Sequence, residues 1–146
     1  MKVGFTGCRK GMTKDQEAIF SKLIIDLQAI DEFHHGDCIG SDIQAHEILV
    51  QLRENSAVGC KSIIIHPPNN SKFRADCSAG PEDKILEEVE YLQRNHDIVE
   101  AAKILIATPD GYEEELRSGT WATIRFAKKC SKMILVIYPD GSSVNY

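Results

Sequence analysis

Short β-prone runs alternate along the chain with longer segments whose apolar residues recur every three or four positions. The first run is Lys2 to Thr6. After it, Ile19, Phe20, Leu23, Ile24, Leu27 and Ile30 trace the stripe of an amphipathic helix. Thr13 is expected to cap that helix, because Gln16 completes a capping box and Asp15 and Glu17 favour the positive end of the dipole. Glu32–His35 predicts a second strand. Ile43, His46, Glu47, Ile48, Leu49 and Leu52 mark a second helix, closed by Asn55-Ser56 and Gly59. Lys61–His66 is apolar over a continuous stretch, the pattern of a strand buried on both faces, and Pro67-Pro68 stops it.

From Asn69 to Gly80 the chain is polar and irregular, too long for a routine connection. Within it Phe73 lies between Lys72 and Arg74, as an anchoring ring on a solvated loop or as part of a site. Pro81-Glu82-Asp83 suits a helix start, and a helical segment is expected from there to Ala102, burying Leu86, Val89, Leu92, Ile98 and Val99. Ile104–Ala107 and Met133–Ile137 supply a fourth and a fifth strand, and Asp140 to Tyr146 is expected to fray. About five strands alternating with helices, most of them apolar throughout, imply an α/β fold: a single-domain, doubly wound, mainly parallel sheet with helices on both faces. Such sheets bind ligands at the carboxyl ends of their strands, where strand order reverses.

A length of 146 residues fits one domain, 1–146, that needs no disulfide or metal staple. The 17 basic and 22 acidic side chains leave a formal charge of −5, the wrong sign for a protein built around a nucleic-acid backbone, so nucleic acid is not expected as a partner. Small anions remain open, because local N–H groups hold a phosphate whatever the net charge. Cys8, Cys38, Cys60, Cys77 and Cys130 form no pair or His combination at zinc spacing, so no metal is expected, and scattered thiols suit a reducing compartment. No apolar stretch approaches the roughly eighteen residues of a membrane span. The expectation is a cytoplasmic protein that makes no membrane contact.

Three glycine-bearing strand-to-helix junctions carry the candidate chemistry. The first, Thr6-Gly7-Cys8-Arg9-Lys10-Gly11, clusters hydroxyl, amide and cationic donors without the spacing of a Walker loop. In the second, Gly36-Asp37-Cys38-Ile39-Gly40-Ser41-Asp42, Asp42 either complements the helix dipole or accepts from a ribose hydroxyl or base amine. The third is Arg117-Ser118-Gly119-Thr120-Trp121, where unpaired N–H groups at a helix start point to an anion site and Ser118 or Thr120 serves as cap or phosphate ligand. Trp121 stacks on a ligand or belongs to the core. Arg94, with Asn95 beside it, is placed to reach over the crevice. His96 and Asp97 are adjacent helix positions and do not face each other. Glu113-Glu114-Glu115 is a solvated run unless its loop folds inward to supply a general base.

These junctions, taken in order from Gly4-Phe5-Thr6-Gly7-Cys8-Arg9 through His35-Gly36-Asp37-Cys38-Ile39-Gly40-Ser41-Asp42 and Arg94-Asn95 to Gly119-Thr120, resemble the SLOG superfamily of Rossmann-like domains. The superfamily is named for the Smf/DprA proteins and the Lonely Guy phosphoribohydrolases, and the likeness is greatest to its small single-domain YspA/YpsA-like branch. No cofactor is expected, and the role taken from the junctions is that of a sensor or sequestering protein. The resemblance implies binding of a nucleotide or nucleotide-derived ligand and a homodimer through helix faces. Its enzyme branch cleaves an N-glycosidic bond with Pro-Gly-Gly-x-Gly-Thr-x-x-Glu and a helix Arg. Here Gly119, Thr120 and Arg94 match that pattern. Leu116 and Arg117 replace the paired glycines, Thr123 stands at the catalytic Glu, and the catalytic residues stay unassigned. The expected ligand-binding set is therefore Thr6, Gly7, Cys8, Arg9, Gly36, Asp37, Gly40, Ser41, Asp42, Arg94, Asn95, Arg117, Ser118, Gly119, Thr120 and Trp121, with base and ribose towards Gly36–Asp42 and Trp121.

Overall fold

The structure is a computed structural model and describes all 146 residues. Its strands are β1 (Lys2–Gly7), β2 (Ala29–His35), β3 (Gly59–Ile65), β4 (Lys84–Ile85), β5 (Ile104–Thr108), β6 (Met133–Ile137) and β7 (Ser143–Asn145). Its helices are α1 (Lys14–Leu27), α2 (Ser41–Glu54), α3 (Tyr91–Ala101) and α4 (Gly119–Lys129). One sheet runs in the order β4-β3-β2-β1-β5-β6-β7, parallel except for the β6–β7 pair. The fold is the expected doubly wound α/β sheet, with seven strands rather than five.

Side-chain alternation divides the core into two layers. Val3, Phe5, Phe33 and Ile106 face α1 and α2, where Phe5, Phe20 and Phe33 form a mutual aromatic cluster with centroids 5.3–6.2 Å apart. Burying each ring contributes roughly 1.5–3 kcal/mol. On the opposite face Leu105, Ala107, Ile134 and Val136 pack against Val99 of α3 and against Trp121, Ile124 and Ala127 of α4. At Gly4 a Cβ would stand 3.0 Å from that of Ala102, so the missing side chain lets α3 lie close on β1. The predicted capping box of α1 is present, Thr13 accepting from Gln16 N and the Gln16 side chain accepting from Thr13 N.

Three expected segments differ. Helix α1 stops at Leu27, and Ile30 is buried in β2. The chain from Pro81 does not start a helix. Asp83 takes both guanidinium nitrogens of Arg53 (2.8 and 2.9 Å) and accepts from the Ile63 and Gly80 amides, which ties the segment to the sheet edge as β4. Leu86 and Leu92 are consequently exposed, and α3 begins only after Glu90, whose carboxylate accepts from the Leu92 and Gln93 amides. The tail is not frayed: around the Pro139-Asp140-Gly141 turn, with Gly141 at φ +85°, β7 doubles back on β6.

β2 carries adjacent histidines to opposite faces. His34 bridges Glu32 (2.8 Å) and His66 (2.8 Å), while His35 meets His46 of α2 (2.9 Å). His35, His46 and Cys77 bring three potential metal ligands within 4.8 Å of one another. However, the Asp37 amide donates to His35 Nδ1, so the ring proton sits on Nε2 and is donated to His46 Nδ1. The cluster is thus a chain of neutral imidazoles, and burial pushes the His35 pKa well below its usual range.

Candidate functional site

Strand order reverses between β2 and β5, on either side of β1. At the carboxyl ends of these strands lies a cleft of about 450 Å³. Its walls come from the β1–α1 loop (Thr6, Gly7, Cys8, Arg9 and Lys10), the β2–α2 turn (Gly36, Cys38 and Asp42) and the β5–α4 segment (Asp110, Glu115, Arg117, Ser118, Gly119 and Thr120). Tyr91, Arg94, Asn95 and Ile98 close it from above. They sit at i, i+3, i+4 and i+7 of α3, a single helix face.

Twelve of the expected residues therefore meet in one cleft, and four stand outside its lining. Gly40, at φ +91°, packs against the Arg9 carbonyl, where a Cβ would fall 2.3 Å away. Ser41 is fully buried, and its amide and hydroxyl both donate to the Cys8 carbonyl (3.0 and 2.8 Å), which fastens the first turn to the second. The Asp37 carboxylate accepts from the Cys77 amide and Arg74 Nε, holding down the long loop. Trp121 belongs to the core at 3% exposure and offers no stacking face. Gly40 and Ser41 thus shape the turns, Asp37 holds the loop, and Trp121 packs in the core.

The third junction behaves as a helix start should. Ser118 is the cap, its hydroxyl accepting from the Trp121 amide at 3.3 Å. The Gly119 and Thr120 amides, like those of Cys8, Arg9 and Lys10, donate to no group of the protein. Tyr91 stands over this start, its hydroxyl 1.6 Å from where a Gly119 Cβ would be. A larger residue at 119 would have to push the Tyr91 phenol aside, and a ligand at the turn must share the space with Tyr91.

Arg94 is the unusual group. It is 4% exposed, yet its hydrogen bonds all go to neutral partners: the Gly36 carbonyl (2.8 Å), Cys38 Sγ (2.9 Å) and Asn95 Oδ1 (3.0 Å). Burial raises the Cys38 pKa, which keeps that thiol protonated. Arg94 Nε has no partner at all. A buried cation costs several kcal/mol unless a counter-charge meets it. Asp42 is nearby across Gly36, its carboxylate accepting from the Cys38 amide at 3.1 Å. Burial lifts the Asp42 pKa to about 6 even though Arg94 acts to lower it.

The remaining charges are mixed. Lys10 pairs with Asp110 at 3.5 Å. Arg9 lies over the ring of Phe73, 3.7 Å from its centroid, while Lys72 is 5.6 Å away. Arg74 instead pairs with Asp37, Asp76 and Glu88. Of the acidic run, Glu115 lines the cleft and Glu114 pairs with Arg125. The Thr123 hydroxyl donates to the Gly119 carbonyl inside α4 and lines no part of the cleft. His96 stacks on Phe126 at 3.7 Å. Tyr91, Ile98, Asp110, Phe5, Lys10, Cys38 and Glu115 are cleft residues absent from the expected set. Ile98 is expected from the sequence on the buried face of this helix, and Tyr91 follows from the i, i+3 spacing to Arg94.

No family model matches the sequence, and no curated protein matches it. Among solved structures, TM1055 superposes with a TM-score of 0.53 at 13% identity, covering 91% of this chain and 71% of that one. The DNA processing protein A of Helicobacter pylori superposes with a TM-score of 0.59 at 17% identity over 93% of this chain, which spans 64% of it. That second protein binds single-stranded DNA. That activity does not fit the charge-based reading, in which nucleic acid is not expected as a partner; at 17% identity the likeness is one of fold. Both likenesses are to Rossmann-like folds, as the resemblance to the Smf/DprA and Lonely Guy superfamily implies.

Proposed function

We propose that this protein binds a nucleotide or nucleotide-derived ligand, as a cytoplasmic sensor or sequestering protein of the YspA/YpsA-like kind. The phosphate or diphosphate lies against the Gly119 and Thr120 amides and the Cys8–Lys10 loop. Asp42 accepts from a ribose hydroxyl. One observation carries the reading: Arg94 is a buried guanidinium on the cleft wall whose hydrogen bonds all reach neutral acceptors and whose Nε has none. The Asp42 carboxylate is near Arg94 but makes no hydrogen bond to it, so a phosphate supplies a directly bonded anionic partner, and the unpaired amides of two turns supply donors that need no reorganisation. Calorimetry with pyrophosphate and ADP tests it. Arg94→Ala should weaken both by about 10- to 100-fold, the range for a charged hydrogen bond. Gly119→Val should weaken both by crowding the turn. Absence of binding, or binding indifferent to both substitutions, refutes the reading.

A second reading is N-glycosidase action on a nucleoside monophosphate, which the carboxylates of Asp42 and Glu115 on the cleft wall favour. Thr123 cannot act as the family's carboxylate, so one of these two would be the general acid or base. Chromatography of long incubations decides: free base released by wild type and lost in Glu115→Gln or Asp42→Asn promotes turnover over binding.

A further inference from the structure

The cleft does not end at Arg9. Past Arg9, Cys38 and Tyr91, which the two spaces share, a second groove of about 220 Å³ runs between the chain after β3 and the start of α3. Its further lining includes Asn69, Phe73 and Glu90. We infer that this groove is the nucleobase subsite, taking the flat ring of a nucleotide whose phosphate occupies the cleft. The inference rests on the nucleotide reading and deepens it, because the core position of Trp121 removes the stacking partner expected from the sequence.

The chemistry of the groove differs from that of the cleft. Phe73 and Tyr91 offer planar surfaces, and each already holds a guanidinium, with Arg9 at 3.7 Å from the Phe73 centroid and Arg94 at 5.1 Å from that of Tyr91. A base stacks on aromatic rings and on guanidinium planes alike. Arg9 forms no ion pair, so its N–H groups stay free at the boundary where base and phosphate ends of one ligand meet. Glu90 is committed to capping α3, and its charge turns phosphate away from the groove. The Asn69 side chain is exposed and makes no hydrogen bond, which leaves its amide to read a base edge.

The test compares ADP with pyrophosphate, which occupies the cleft alone, by calorimetry on wild type and on Phe73→Leu, a change that keeps apolar volume and removes the flat ring. ADP should bind wild type more tightly than pyrophosphate does. Phe73→Leu should weaken ADP by about tenfold and leave pyrophosphate unchanged, while Phe73→Trp restores ADP. Asn69→Ala, at an exposed position, should weaken ADP alone. Equal ADP affinity in wild type and Phe73→Leu overturns the subsite while the cleft reading stands. A parallel loss of both ligands in Phe73→Leu also overturns it, because the ring would then act only by holding Arg9. If wild type binds neither probe, the cleft reading and the subsite fall together. Tighter binding of oligothymidylate than of ADP, lost in Phe73→Leu, overturns the assignment to a free nucleotide and gives the groove to a strand base.

Discussion

Replacing Asp42 by Asn should make the protein more stable at neutral pH, and the gain should vanish in acid. Asp42 is buried at the first turn of α2, and burial lifts its pKa from 3.8 to about 6. That difference in proton affinity corresponds to about 3 kcal/mol. The folded state holds the proton more tightly than the unfolded chain. Ionising Asp42 therefore costs stability, with no cost below pH 3.8 and the full cost above pH 6. The amide imitates the protonated carboxyl and can still accept from the Cys38 amide. Urea unfolding of wild type and Asp42→Asn, at pH 4 and pH 8, should show the variant's relative stability rising by about 2 kcal/mol across that interval. Taking the difference removes the titration of the histidines, which is common to both proteins. A stability difference that does not change with pH would refute the reasoning, because the carboxylate would then be no more costly folded than unfolded. The same variant should bind ADP more weakly, the exchange of stability for function expected of a site residue.

Three further outcomes follow from the structure. The His66 pKa falls to about 4, chiefly through burial. The unfolded chain therefore protonates first, and stability should drop by up to about 3 kcal/mol as pH falls from 6.5 to 4. Thermal melts of His66→Gln should fall less steeply than wild type over that window. Gly7→Ala would drive a Cβ to 2.3 Å from Ser41 Cβ and 2.4 Å from Thr108 Oγ1, neither of them the end of a flexible chain. Overpacking of that kind should cost about 1–3 kcal/mol in urea unfolding. Asp83→Ala leaves Arg53 and the Ile63 and Gly80 amides without their acceptor. A loss of about 3 kcal/mol is expected, together with faster hydrogen exchange at Leu86, whose amide pairs with the Ile65 carbonyl.

By itself the sequence determined whatever depends on neighbours within a few positions. Continuous apolar runs specify strands buried on both faces, and a stripe at three- and four-residue spacing specifies a covering helix, so the alternation alone requires a doubly wound sheet. Thr13 with Gln16 is a cap that works through a single turn, and it formed as expected. The right-handed crossovers then oblige all three glycine turns to emerge at the same edge, which is why twelve of the sixteen expected residues share one cleft.

Tertiary structure decided whatever depends on a partner far along the chain. Asp83 looks like a helix-starting acid until Arg53, thirty residues earlier, claims its carboxylate and pulls the segment to the sheet edge. That one long-range pair moved the start of α3 to Tyr91 and left Leu86 and Leu92, expected in the core, exposed. Ser41, Asp37 and Trp121 are of types that bind ligands elsewhere, and local pattern cannot tell such a residue from one spent on the Cys8 carbonyl, the Cys77 amide or the core. The charge state of Asp42 and the unmet valence of Arg94 are likewise properties of burial, which no stretch of sequence carries alone.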